Sequence, residues 1–409
     1  MPAVNSQPSV FDVAVLGGGP GGLAAALALR RYSGLSVLVV EKSRYDLPRV
    51  GETLAPGIRG LLEYLGVWEA FLADGHLPAF GTAAAWGGCD VATRDFIMTP
   101  FGTGWHLDRR RFDHTLARQA EAAGAAVWRP AQAQCEPLAN GRWRLDVLYS
   151  GERRTVEAGF LVDATGKAAA VARACGAKRR VVDRMLAVAA TVELPASSGC
   201  ETTTLVETCE EGWWYSAKLP RAMITVALMS DTDIIQKRRL ADSAEWWRLL
   251  GAQPHTWARV KGGRMAGSPR IIPAFSACLD ATAGQGWAAV GDAAASHDPL
   301  SSSGIARALD SGIRAARAIF DLLSTGRADG LREYDQRMRE GFERYWEMRQ
   351  RYYAMEQRWP GSLFWQRRQG CVTLDPPLGT TGPGRSSSAC LRTAPAPLEE
   401  DYAGGHRHV

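Results

Sequence analysis

Two glycine-rich loops, far apart in the sequence, carry the residues best suited to hold and steer a cofactor. The first is Gly17-Gly18-Gly19-Pro20-Gly21-Gly22, with Gly17, Gly19 and Gly22 in GxGxxG register. Glycines at this spacing permit a tight turn, close approach of the backbone to a pyrophosphate, and close packing of the following helix on the preceding strand. The helix that opens at Pro20 offers free N–H groups and the positive end of its dipole to phosphates. Glu41 lies 19 residues after Gly22, where an acid reaches the hydroxyls of an adenosine ribose.

The second loop runs from Gly291 to Ile305 and follows the apolar run Trp287–Val290. Asp292, at the end of a buried strand, is placed to accept hydrogen bonds from ribityl hydroxyls. Pro299, Ser303 and Gly304 precede another helix, whose N–H groups face the electron-rich edge of a reduced isoalloxazine. Asp292 alone reads equally well as a helix N-cap. The two loops together imply FAD held along its whole length.

The elements that must position these loops are legible as well. Val13–Leu16, Leu23–Arg31 and Leu35–Val40 read as strand, helix and strand, the opening of a nucleotide-binding domain. Arg109–Gly124 has apolar residues at helical spacing. Met185–Leu194, Thr203–Thr208, Trp213–Leu219 and Met223–Met229 read as strands of an antiparallel sheet. Ile305–Leu323 and Leu331–Arg358 read as helices, the second rich in aromatics.

The expected fold is therefore α/β: a Rossmann-like FAD-binding domain with a parallel sheet, an inserted and mostly antiparallel substrate sheet, and a helical C-terminal segment. FAD-binding parts are assigned to 1–80, 106–180 and 276–330, and substrate-domain parts to 81–105 and 181–275. Aromatic C-terminal helices follow over 371's preceding stretch, 331–370, and a flexible tail is expected over 371–409.

Bulk properties narrow the function classes. The 409 residues are 46% hydrophobic and 22% charged, ordinary for a globular chain. The net charge of +5 comes mainly from scattered arginines, and no nucleic-acid module accompanies it. None of the eight cysteines forms a CxxC pair or a zinc or disulfide spacing, so no metal is expected. No secretory signal opens the chain, and no apolar run approaches the roughly 18 residues of a membrane span. A cytoplasmic protein is the expectation.

Several motifs resemble the FAD-dependent monooxygenases and halogenases that share the aromatic-hydroxylase fold. They are the GGGPGG loop, Arg49-Val50-Gly51-Glu52-Thr53, Gly104-Trp105-His106-Leu107-Asp108-Arg109, Val162-Asp163-Ala164-Thr165-Gly166 and the Gly291–Ile305 loop, and the resemblance spans about 10–365. It implies that Arg49 contacts the FAD pyrophosphate, Arg109 the adenine–phosphate half, and that Asp163 closes the dinucleotide site. Two departures bear on the reaction. The halogenases' lysine is missing from Phe80–Asp90, and their Trp-x-Trp-x-Ile-Pro signature is altered in Gly212–Pro220. Ser301 also stands where some halogenases place a glutamate. Lys218 keeps halogenation open.

Within this group the chain is most similar to the flavoprotein monooxygenases of tryptophylquinone biogenesis, which hydroxylate a tryptophan within a partner polypeptide. The implied reaction is hydroxylation of an electron-rich ring, such as indole, through a flavin C4a-hydroperoxide formed from O2. Alternatives are a flavin-dependent halogenase and a dehydrogenase or prenyl reductase without oxygen chemistry. Electrons come from NAD(P)H or from a separate flavin reductase. Glu52, His106 and His297 are the acid/base candidates, with a hydrogen-bonded core role the favoured reading of His106. Trp86, Trp213, Trp214 and Tyr215 are candidate walls for a flat substrate, or else sheet core.

Overall fold

The computed structural model describes residues 9–196 and 198–370. The tail expected at 371–409 lies outside the described residues. Ser9–Leu16, Val37–Val40, Ala126–Trp128, the end of Glu152–Asp163, and Trp287–Ala289 form a parallel sheet. Its central strands are buried on both faces, so they read as continuous apolar runs such as Val37-Leu38-Val39-Val40.

The helix Pro20–Tyr32 packs on this sheet and against the long helix Gly304–Thr325. The small residues Gly21, Ala24, Ala25 and Gly312 let the two backbones approach. A Cβ on Gly312 would stand 2.3 Å from the Gly21 carbonyl oxygen, so the crossing requires glycine there. This contact locks the start of the first loop to the helix that follows the second.

A second sheet has Met185–Glu193, Met223–Asp231, Gly212–Leu219 and Thr204–Cys209 as consecutive antiparallel neighbours. Gly81–Ala85 then joins Thr204–Cys209 in parallel, and Ala92–Asp95 adds an antiparallel edge. A mixed α/β fold with a C-terminal helical segment results.

Three helices between 232 and 260 add to the antiparallel sheet expected over 181–275, in a stretch to which the sequence reading assigns no element. They are Thr232–Lys237, Ser243–Leu250 and Pro254–Val260. Asp242 caps the second by accepting from the Ala244 and Glu245 N–H groups, and Pro254 starts the third. They cover one face of the sheet, burying Trp246, Leu250 and Val260 against Trp214, Val226 and Leu228. The aromatic segment is also two helices: Asp329–Met355 and Leu363–Gln369, separated by a turn containing Pro360 and Gly361. Tyr353, Phe364 and Trp365 cover part of the sheet's other face.

Candidate active site

A cavity of about 460 Å3 runs between the two sheets and touches both glycine-rich loops. Gly19, Pro20 and Gly22 of the first loop line it, with Arg49 and Arg109, and so do Asp292, Pro299 and Gly304 of the second. Tyr215, Thr225, Ala227 and Met229 approach from the antiparallel sheet, and Glu52 and His297 also face in. A larger surface groove, about 1610 Å3 and bounded by Trp143, Trp287 and Trp346, contains none of the proposed cofactor or catalytic residues.

The loop geometry fits a bound dinucleotide. A Cβ on Gly19 would meet nothing within 4 Å, so this glycine faces open space. Gly17 instead adopts φ +115°, with the Ala164 carbonyl oxygen 2.1 Å from where its Cβ would be. It serves the turn and does not line the cavity. The first helix has no side-chain cap at Gly19, which leaves its first-turn N–H groups directed at the cavity.

The acids bordering the loop brace it. Glu41 is buried; one carboxylate oxygen accepts from the Gly18 N–H at 2.7 Å, and the other from the Ser43 N–H at 2.8 Å. Arg49 reaches Glu41 at 3.2 Å and Asp113 at 2.8 Å, while Arg109 shares Asp113 and donates to the Val50 carbonyl at 2.8 Å. Asp163 is fully buried and off the cavity. It accepts from the Thr165 N–H and hydroxyl and from the Ala172 N–H, fixing the adjoining loop. Ser303 likewise turns away from the lining, bonding Ser301 and Arg307.

At the second loop, the Asp292 carboxylate lies 3.8 Å from the Lys167 ammonium, which donates to the Phe275 carbonyl at 3.0 Å. A buried network holds the following turn. Asp298 accepts from the Leu300 N–H, from Arg349 at 3.0 Å and from the Tyr353 hydroxyl at 2.7 Å. Its own N–H donates to Tyr345 at 2.7 Å. Tyr345, Arg349 and Tyr353 recur every fourth residue, so one face of the Asp329–Met355 helix grips the turn.

The three acid/base candidates separate. Glu52 is buried in the cavity wall and accepts from the Thr225 hydroxyl and the Gly51 N–H, both at 3.0 Å. Burial raises its pKa, and these two donors oppose the rise without cancelling it. The cavity wall thus holds a buried carboxyl, Glu52, whose protonated form burial favours. His297 is half-buried, with its Nε2 shielded from solvent, and stacks on Tyr345 at 4.1 Å. Burial, assisted by Arg307 and Lys167, keeps its imidazole neutral.

His106 does not line the cavity. It is fully buried behind Tyr215, with Nε2 2.9 Å from the Thr204 hydroxyl, and burial lowers its pKa from 6.5 to about 4. Thr204 bonds Thr53, which bonds the Tyr215 hydroxyl at 2.7 Å. His106 therefore supports the wall from behind, as a hydrogen-bonded core histidine.

Of the four aromatic candidates, only Tyr215 reaches the cavity. Trp213 is on the same strand face but is covered by the C-terminal helices, its indole N–H donating to Tyr353 at 2.9 Å. Trp214 faces the opposite side and packs on Trp246. The Trp86 N–H donates to the Tyr352 carbonyl at 2.8 Å. These three tryptophans are core. Sequence reasoning missed Lys167 and Thr225; the first could have been found directly after the Asp163–Gly166 motif, the second only through pairing of strands.

Residues 12–103 and 89–380 match the tryptophan halogenase family. The chain belongs to that family. LodB of Marinomonas mediterranea, described as an FAD-dependent oxidoreductase, is 30% identical over 369 residues, covering 89% of this chain and 98% of LodB. The structure is similar to that of CmlS, a flavin-dependent halogenase, with a TM-score of 0.80 and 27% identity over 89% of this chain and 68% of CmlS. It is also similar to QhpG, a peptidyl tryptophan dihydroxylase essential for tryptophylquinone cofactor biogenesis, with a TM-score of 0.65 and 25% identity over 89% of this chain and 80% of QhpG. As a member of the tryptophan halogenase family, the chain is a flavin-dependent oxidoreductase. Among the described residues, no helix is long and apolar enough to cross a membrane.

Proposed function

We propose that this protein uses FAD, reduced by a separate reductase, and O2 to halogenate an electron-rich aromatic ring. The observation that carries the flavin reading is one cavity joining the free N-terminus of the first helix, Arg49 and Arg109 to Asp292 and the Pro299–Gly304 turn. Family membership and the likeness to CmlS favour halogenation over the hydroxylation expected from the sequence, reversing their order. When bound, FAD would supply the activation of oxygen.

The chain's own residues would do the rest. Gly19, Pro20, Gly22, Arg49 and Arg109 would hold the pyrophosphate, Asp292 the ribityl chain, and the Pro299–Gly304 backbone the ring, with Glu41 and Asp163 keeping the loops in place. Tyr215, Ala227 and Met229 would orient a flat substrate and exclude water. Glu52, its pKa raised by burial, would hold a proton on its carboxyl near that substrate.

A specific observation favours a second reading, hydroxylation. Lys167 is the ammonium lining the cavity among the described residues, and it is tied to Asp292 and Phe275 at the loop end. Lys218, which kept halogenation open in the sequence, donates to the Cys200 carbonyl at 2.7 Å and does not line the cavity. The likeness to QhpG extends this reading to a tryptophan within a polypeptide.

The deciding experiment supplies reduced FAD and O2 with free tryptophan, a phenol and a tryptophan-containing peptide, with and without bromide, and reads product masses. A bromine isotope pair appearing only with bromide supports halogenation. A gain of one oxygen atom, indifferent to bromide, overturns it in favour of hydroxylation. Substrate oxidation by oxidised FAD under anaerobic conditions, with the flavin reduced in step, would remove both and leave the dehydrogenase reading.

A further inference from the structure

Beside the main cavity lies a smaller one of about 300 Å3, and the two share Arg49, Val50, Glu52, Arg109 and Thr225 in their walls. The smaller cavity also takes Arg110, Arg221 and Arg270 into its lining, so five arginines contribute to its wall; Arg49 and Arg109 are the pair assigned above to the pyrophosphate, which leaves Arg110, Arg221 and Arg270 to the smaller cavity alone. They come from separate elements: Arg49 from a loop, Arg109 and Arg110 from a helix start, Arg221 from a hairpin tip and Arg270 from the start of a strand.

The charge is not balanced locally. Arg49 and Arg109 are matched by the buried Asp113, and Arg49 also by Glu41. The other carboxylates in the lining are Asp108 and Glu52. Asp108 caps the Arg109–Ala122 helix and is shared by Arg110 at 3.7 Å and Arg111 at 3.9 Å. Glu52 is buried, with its pKa raised. Arg270 donates to the Pro48 carbonyl at 3.1 Å, and Arg221 has no ion-pair partner among the described residues. Arg110, Arg221 and Arg270 are exposed. Arg221 and Ala222, in the three-residue loop between the paired Leu219 and Met223, have φ of +64° and +54°, a left-handed turn that fixes where Arg221 is presented.

We propose that this arginine-lined mouth is a second anion site, separate from the cofactor's pyrophosphate, that receives the phosphate of an incoming molecule. Converging guanidinium groups match a phosphate's several oxygens and bind it through charge-assisted hydrogen bonds. The shared chemistry has two sources, a reduced nicotinamide dinucleotide or a phosphopantetheine-borne substrate. The assignment rests on the reading that the larger cavity holds FAD, because only then does the mouth open onto a reaction centre.

The test uses the full chain loaded with FAD, and titrates 4′-phosphopantetheine, pantetheine and NADPH by calorimetry at low and moderate salt. A phosphate probe should bind, weaken with salt, and weaken about tenfold further in Arg221→Gly and in Arg270→Gln, with flavin content unchanged. Pantetheine should not bind. Binding of phosphopantetheine alone identifies a substrate arm, whereas binding of NADPH with anaerobic bleaching of the flavin identifies a hydride donor and replaces the separate reductase proposed above. The proposal is overturned if neither phosphate probe binds, if both variants bind as wild type does, or if the variants lose FAD, which would assign these arginines to the cofactor. If wild type fails to take up FAD, the flavin reading fails by itself. The same titrations on the cofactor-free chain and its two variants then still decide the anion site.

Discussion

His106 offers a sharp test of whether a conspicuous motif residue acts in catalysis or in the core. It is fully buried, and burial with Arg259 nearby lowers its pKa from 6.5 to about 4. The folded state therefore resists a proton that the unfolded chain accepts readily. A folded pKa below the unfolded one means the unfolded state binds more protons as pH falls through 6.5, so stability is lost in that window and stops falling below about 4. At about 1.4 kcal/mol per pKa unit, this residue alone should remove about 2 kcal/mol of folding stability between pH 7 and pH 5.

The perturbation is His106→Gln, which cannot titrate and can still bond Thr204. Urea unfolding at both pH values should show wild type losing about 2 kcal/mol more than the variant over this interval. Turnover by the folded, FAD-loaded variant at pH 7 should stay within a few-fold of wild type. Equal losses of stability would refute the buried, neutral imidazole. Collapse of turnover in a variant that folds and keeps its flavin would refute the core assignment and return His106 to the chemistry.

Thr225→Val removes a donor to the Glu52 carboxylate and disfavours its charged form, so the alkaline limb of the pH–rate profile, where Glu52 loses its proton, should move up by about one unit; an unmoved limb would take Glu52 out of the proton inventory. Asp298→Asn leaves the buried Arg349 with Asp183 as its remaining carboxylate, and thermal or denaturant unfolding should show a loss of about 3–5 kcal/mol. Gly19→Ala places its methyl in open space, so the cofactor-free chain should unfold as wild type does while FAD binding, followed by fluorescence, weakens. Gly22→Ala puts its Cβ 2.1 Å from the Gly17 carbonyl oxygen and should instead cost about 3 kcal/mol of stability.

How far the site was legible follows from what kind of signal each residue carries. The two loops declare themselves because glycine spacing and the ends of apolar runs are local, and the structure places both at one cavity. The helices at 232–260 escaped because the surrounding strands set the texture of the region, although Asp242 and Pro254 are ordinary helix starts. Tyr345, Arg349 and Tyr353 show their common face in their spacing, yet nothing local names Asp298 as what that face grips.

The strand Gly212–Leu219 shows why the substrate wall was harder to read than the cofactor site. Alternation puts Trp213 and Tyr215 on one face and Trp214 on the other, which the sequence does establish. It does not establish what covers each face. Trp213 and Tyr215 point the same way, but the C-terminal helices seal the first and stop short of the second, and that boundary depends on pairings between residues more than 130 positions apart. A run of aromatics therefore marks a sheet worth burying, and the residue that meets substrate is the one left uncovered by the packing helix. By that criterion the aromatic variant to compare first is Tyr215→Phe: it should alter substrate KM and leave FAD affinity unchanged, because it keeps the ring in the cavity wall and removes only the hydroxyl bonded to Thr53. A loss of FAD with substrate KM intact would place Tyr215 against the cofactor and move the substrate elsewhere in the cavity.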